Sequence, residues 1–196
     1  MKTIRSAFLA ASIAWAAAAV APAPPAAAQG AATTTVAAQW PQADPADVAS
    51  VDAIIAALYD VISGPIGETR DWDRFRSLFA PQGRLIPTGR AQDGSIRHNV
   101  MSPDDYVASS GPFLEERGFF EVESARVTER FGDIAHAFST YESRWTPDDP
   151  VPFQKGINSI QLLHDGTRWR ILNIFWAGER PDMSIPPKYL PGGAGR

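Results

Sequence analysis

Apolar residues recur at Val48, Val51, Ile55, Leu58 and Ile62, in steps of three and four that align them on one side of a helix. Ile54 and Val61 widen this stripe, and Gly64-Pro65 ends it. Asp44-Pro45-Ala46-Asp47 reads as its start. Asp44 can cap, Pro45 suits a first helical position whose N–H would go unpaired, and Asp47 complements the positive end of the helix dipole. A second, shorter helix capped by Asp71 carries Trp72, Phe75, Leu78 and Phe79 on one face. Arg84-Leu85-Ile86-Pro87 reads as a short strand, with residues 96–101 as its return. Ser102-Pro103 then opens a third helix bearing Tyr106, Val107, Phe113 and Leu114. Pro112 lies inside it and predicts a kink or a break, because proline removes a backbone hydrogen bond.

From Phe119 the period changes to two. Residues 120–145 form a hairpin around Gly132-Asp133, and residues 156–176 form another around Asp165-Gly166, a dipeptide suited to a tight turn. Helices followed by a meander of strands predict an α+β fold, a curved antiparallel sheet packed against three N-terminal helices. The domain spans residues 44–180. Residues 181–196, with four prolines and a glycine-rich end, read as a flexible tail.

Composition changes the picture at the amino terminus. Lys2 and Arg5 precede an uncharged apolar run over residues 7–21, and Ala26-Ala27-Ala28 follows before Gln29. This is the three-part pattern of a secretory signal peptide over residues 1–28, implying a periplasmic or secreted product. The run is short for a membrane span of about 20 apolar residues. Cleavage would leave 168 of the 196 residues and take the formal charge from −4 to −6. Residues 29–43 then form an Ala- and Thr-rich disordered leader. An acidic chain without a basic cluster argues against nucleic acid as a partner. With no cysteine anywhere, disulfides, thiol catalysis and thiolate metal sites are excluded.

Three segments resemble the nuclear transport factor two-like superfamily, the cystatin-like cone fold that also includes SnoaL-like cyclases and ketosteroid isomerases. They are Asp71-Trp72-Asp73-Arg74-Phe75-Arg76-Ser77-Leu78-Phe79-Ala80-Pro81, Phe131-Gly132-Asp133-Ile134-Ala135-His136-Ala137-Phe138, and Asp165-Gly166-Thr167-Arg168-Trp169-Arg170-Ile171. The resemblance covers residues 45–178 and implies a sheet roofed by helices around an apolar pocket. It implies nothing definite about function, because this fold carries enzymes, carriers and structural domains alike.

Pairing about Gly132-Asp133 sets Glu121 against Arg144, Glu123 against Glu142 and Glu129 against His136, unless a one-residue bulge reverses the faces. His136, the one histidine inside a central strand, is the candidate general base, and Glu142 belongs to a candidate carboxylate cluster with Glu121 and Glu123. The alternative is a His136–Glu129 pair and a Glu121–Arg144 pair with no chemistry. Tyr59, Trp72, Phe75, Phe113, Asn158 and Trp176 are the candidate ligand-binding residues, an aromatic lining with a few polar groups. The three histidines lack ligand spacing, so no metal site is implied, and proton transfer by a positioned base implies no cofactor.

Both faces of the closing hairpin are apolar, unlike a sheet with one wet side. A homodimer through this sheet is the expectation. The function expected is that of an exported domain binding a small hydrophobic molecule, with a cofactor-independent isomerase, cyclase or dehydratase as one reading. A non-catalytic binding or dimerisation module is the other.

Overall fold

The computed structural model describes residues 40–193; the segment read as a signal peptide and most of that read as a leader lie outside the described residues. Three helices, α1 (Val51–Ile62), α2 (Trp72–Leu78) and α3 (Pro103–Arg117), pack on a six-stranded sheet. The strands are β1 (Phe79–Arg90), β2 (Ile96–His98), β3 (Phe120–Phe131), β4 (Ile134–Arg144), β5 (Gln154–His164) and β6 (Trp169–Gly178), in the order β2-β1-β6-β5-β4-β3. The sheet is mixed rather than wholly antiparallel: β3 to β6 form the expected meander, while β1 adds to the free edge of β6 in parallel. Parallel neighbours need a crossover, and the whole segment from β2 to β5 supplies it.

Each helix start carries a side-chain cap, though not always the one expected. The hydroxyl of Ser50 caps α1 by accepting from Ala53 N, while Asp44 instead caps the preceding turn by accepting from Ala46 N. Asp71 caps α2 through Arg74 N, as its position predicts. At α3, Ser102 and Asp105 bond reciprocally in a capping box. Pro112 does not break α3, which runs unbroken from Pro103 to Arg117. It lies on the exposed side of the helix, where water can serve the freed carbonyl. The core is made by Ile54, Ile55, Leu58 and Val61 of α1, Phe75 and Leu78 of α2, and Ala137, Ile160, Leu162 and Ile171 of the sheet.

Arg70, which the sequence pattern does not single out, is only 4% exposed. Its guanidinium donates to the carbonyls of Ile62, Gly64, Pro65, Glu68 and Leu114. Two of these carbonyls belong to the last turns of α1 and α3, where the helix dipole is negative. A cation thus joins two helix ends and the loop between α1 and α2. A Cβ on Gly64 would lie 2.6 Å from the Arg70 guanidinium carbon. Gly64→Ala is therefore expected to destabilise the chain by roughly 1–3 kcal/mol, read as a lower urea midpoint with an unchanged slope.

The pairing centred on Gly132-Asp133 holds from Phe131↔Ile134 to Ala125↔Thr140 and then slips by one residue at Ser124. Beyond this bulge Glu121 faces Ser143 and Glu123 faces Tyr141, so neither meets its expected partner. The second hairpin is looser than its Asp165-Gly166 signal suggests. Four residues connect β5 to β6, held by the Asp165 carboxylate, which accepts from Thr167 N and Arg168 N.

Residues 181–193 are not a loose tail. Ile185 is buried, residues Pro187–Tyr189 form a 3-10 turn, and the Tyr189 carbonyl accepts from Thr140 Oγ1 at 2.5 Å. The Tyr189 ring meets Phe138 edge-on at 4.7 Å. This segment lies on the outer face of the sheet, away from the helices. Apolar outer-face residues that predict a second chain are thus partly met by the chain itself.

Candidate active site

On the inner face of the sheet, a cavity of about 280 Å³ lies between β3–β6 and the helices. Its walls are largely apolar, including Leu58, Phe75, Phe113, Phe119, Ile174 and Trp176. Its polar lining includes Glu121, Ser143, Asn158, Tyr106 and Tyr141, and the first three stand within hydrogen-bond distance of one another through Glu121. This is the usual composition of a small-molecule site, with a volume just below the roughly 300–1,000 Å³ range.

The bulge at Ser124 brings Glu121 to this side. The strand is also fixed locally, because the Glu121 amide donates to Ser63 Oγ at 3.0 Å and that hydroxyl donates to the Tyr59 carbonyl. The Glu121 carboxylate accepts from Ser143 Oγ at 2.8 Å and from Asn158 Nδ2 at 3.4 Å. Among the described residues no arginine or lysine forms a salt bridge with it. Although the residue as a whole is half-buried, its carboxyl lies in the protein interior, and that burial pushes its pKa from the ordinary 4.5 to about 7. Its two hydrogen bonds act the other way and are outweighed.

Asn158 is held from behind. Its Nδ2 donates to the Tyr59 hydroxyl at 3.1 Å, Tyr59 lies 2.7 Å from Ser139 Oγ, and Ser139 Oγ donates to Glu123 Oε1 at 2.5 Å. Since the Ser139 proton goes to Glu123, Tyr59 is the donor to Ser139. The bonds therefore run in one direction, from the Asn158 amide to the Glu123 carboxylate, and present the nitrogen of Asn158 to Glu121. Burial pushes the phenols of Tyr59, Tyr106 and Tyr141 up, with the Glu121 charge adding to the shift in each. All three stay protonated at neutral pH and can donate. Tyr59→Phe should cost about 1–2 kcal/mol of stability, because buried Ser139 and Asn158 each lose a partner. Denaturant unfolding measures this, and a loss below a few tenths would show that water replaces the hydroxyl.

Of the six residues predicted to bind a ligand, Phe75, Phe113, Asn158 and Trp176 line the cavity. Tyr59 stands behind Asn158 as its support. Trp72 lies outside, edge-on to Phe75 at 5.7 Å and donating to Glu115 Oε1. His136 and Glu142 are corrections. Both lie on the outer face, where His136 Nε2 is 2.9 Å from Ser159 Oγ and Glu142 pairs with Arg144 and Lys155. Partial burial of the Glu142 carboxyl is outweighed by these two cations, which hold it below its ordinary range. Alternation along β4 explains both placements: Ala135, Ala137, Ser139 and Tyr141 turn inward, so His136, Phe138, Thr140 and Glu142 turn outward. The pairing rule places Glu121 on that outward side, and only the bulge shows otherwise. Tyr106, Tyr141 and Ser143 are pocket residues that no motif marks.

Among the described residues, no group of three or more His, Asp or Glu side chains stands close enough to hold a metal ion. No helix among them is long and apolar enough to cross a membrane.

Comparison with solved structures places the architecture. An NTF2-like protein of unknown function from Pseudomonas putida aligns with a TM-score of 0.52 at 12% identity, over 73% of this chain and 95% of that one. A protein of unknown function from Mycobacterium tuberculosis aligns at 0.51 and 16% identity, over 69% and 75% of the two chains. One with a cystatin-like fold from Nostoc punctiforme aligns at 0.50 and 12%, over 67% and 90%. The chain has the cystatin-like, NTF2-like α+β cone fold. No family model matches the sequence, and no curated protein does. At these identities the likeness extends to fold and not to activity.

Proposed function

We propose that the chain is an exported domain that binds a small, largely apolar cyclic molecule in the inner cavity and moves a proton on it with Glu121. The observation that carries this reading is a carboxylate without a cationic partner in a largely apolar cavity. A general base must be able to both take and release a proton near the working pH, and Glu121 is tuned to do so. The phenols of Tyr106 and Tyr141 line the same space and can donate to an oxygen that gains charge as a neighbouring C–H is deprotonated. Glu121 would take the proton from carbon and return it to another atom of the same molecule, so no redox partner is needed. Isomerisation, cyclisation and dehydration all share this step.

The test is α-proton exchange of cyclohexanone in D₂O, followed by NMR with the mature protein and with Glu121→Gln. Faster exchange with the wild type, falling to the solvent rate in the variant, is the expected result. Binding of the ketone without exchange above the Glu121→Gln rate would make the chain a carrier.

A further inference from the structure

We infer that the C-terminal segment roofs a second binding chamber, on the outer face of the sheet, for a neutral and largely hydrocarbon molecule. A cavity of about 540 Å³ lies between residues 183–189 and strands β4–β6. Its floor is Phe138, Ile157, Ser159 and Phe175, and its roof is Met183, Ile185, Pro186 and Tyr189. It is almost twice the volume of the inner cavity and lies in the range of ligand sites.

The roof is fastened at both ends. Ile185 N donates to Glu179 Oε1 at 3.0 Å, and Thr140 donates to the Tyr189 carbonyl while Phe138 packs on its ring. A chain that merely needed to cover an apolar sheet face would lie flat upon it. This one touches the floor at Phe138 yet leaves Phe175 45% exposed beside the cavity. The arrangement also selects the occupant. Residues 183–189 already form one side of the cavity, and its concave, largely apolar lining suits a small molecule better than a flat protein surface.

Three of the polar groups at the chamber are already engaged: Ser159 with His136, Glu179 with the Ile185 amide, and Thr88 with the Trp176 carbonyl. Lys188 is exposed, with its ammonium 4.7 Å from the Tyr189 ring. The two charged residues that line it, Glu179 and Lys188, are of opposite sign and the rest of the lining is largely apolar, so the chamber suits a neutral ligand. This chamber accounts for the apolar outer side of the closing hairpin, a feature that the inner site does not use.

The experiment is a titration with N-phenyl-1-naphthylamine, a neutral apolar fluorophore, on the wild type, Ser159→Phe and Ser110→Phe. Ser159→Phe fills the outer chamber, and Ser110→Phe fills the inner one. Loss of affinity by about tenfold or more in Ser159→Phe, with binding retained in Ser110→Phe, is expected. Hydrogen exchange on the wild type guards against a variant that misfolds: the probe should slow the amides of residues 183–190. Three results would overturn the inference: no binding of the probe, binding lost only in Ser110→Phe, or protection confined to α3 and β3. A dimer at micromolar concentration that Phe175→Glu splits and the probe leaves intact would overturn it as well, by giving the face to a second copy. Retention of the outer binding in Glu121→Gln separates this result from the fate of the inner site.

Discussion

Arg70→Ala is expected to be the most destabilising single substitution outside the apolar core, by about 3 kcal/mol or more. A hydrogen bond to a charged group contributes about 1.5–3 kcal/mol, and the Arg70 guanidinium makes five such contacts with carbonyls. The contacts are not additive, since one cation serves all of them and its own desolvation opposes their sum. What decides the sign is the state of the variant. Carbonyls at the ends of α1 and α3 would remain buried, pointed at a void, with their helix dipoles uncompensated. For a domain of this size, 3 kcal/mol corresponds to a fall in Tm of about 6–12 °C. Arg70→Lys should recover less than half of the loss, because an ammonium has three donors on one atom and cannot span carbonyls on three segments. Scanning calorimetry checks both variants. An Arg70→Ala protein melting within about 2 °C of the wild type would mean that the loop refolds around water.

Arg70 also shows where sequence reading stops. Nothing adjacent marks it, for Glu68-Thr69-Arg70-Asp71 reads as a polar linker between two helices. The carbonyls that require it are backbone atoms 2 to 44 residues away in sequence, and backbone atoms carry no residue signature. What was legible is local. The capping side chains of Asp71 and Ser102, the Gly132-Asp133 turn and the stripe from Ile55 to Ile62 each act within a few residues, and the structure keeps all of them. The candidate site was half legible for the same reason. Phe75, Phe113, Asn158 and Trp176 reach the cavity because periodicity alone sets their faces. The pairing rule misplaced Glu121 at Ser124, where one unpaired residue turns it inward without altering any pattern of apolar and polar positions. His136 kept its pairing with Glu129 but lies on the face opposite the helices. A histidine in a central strand is a signal of chemistry only when the strand's inner face is known.

Glu121→Gln should have opposite effects on stability and function, and the effect on stability should depend on pH in a definite direction. Burial raises the carboxyl from 4.5 in the unfolded chain to about 7 in the fold. Below pH 4.5 both states hold the proton and Glu121 contributes no pH dependence. Between pH 4.5 and 7 the unfolded chain releases its proton while the fold retains it, so stability falls as pH rises. Above pH 7 both are ionised, and the fold carries a buried charge that costs about 2–3 kcal/mol, with some allowance for the partial exposure of the residue. Glutamine removes this penalty and keeps acceptor and donor capacity for Ser143 and Asn158. The variant should therefore equal the wild type near pH 4 and exceed it by about 2 kcal/mol at pH 8, measured by urea unfolding across that range. Its proton-exchange rate should fall by about 10²-fold or more, the usual contribution of a general base. A Glu121→Gln protein with the wild-type pH profile would place the carboxyl in water and remove the reason for calling it a base.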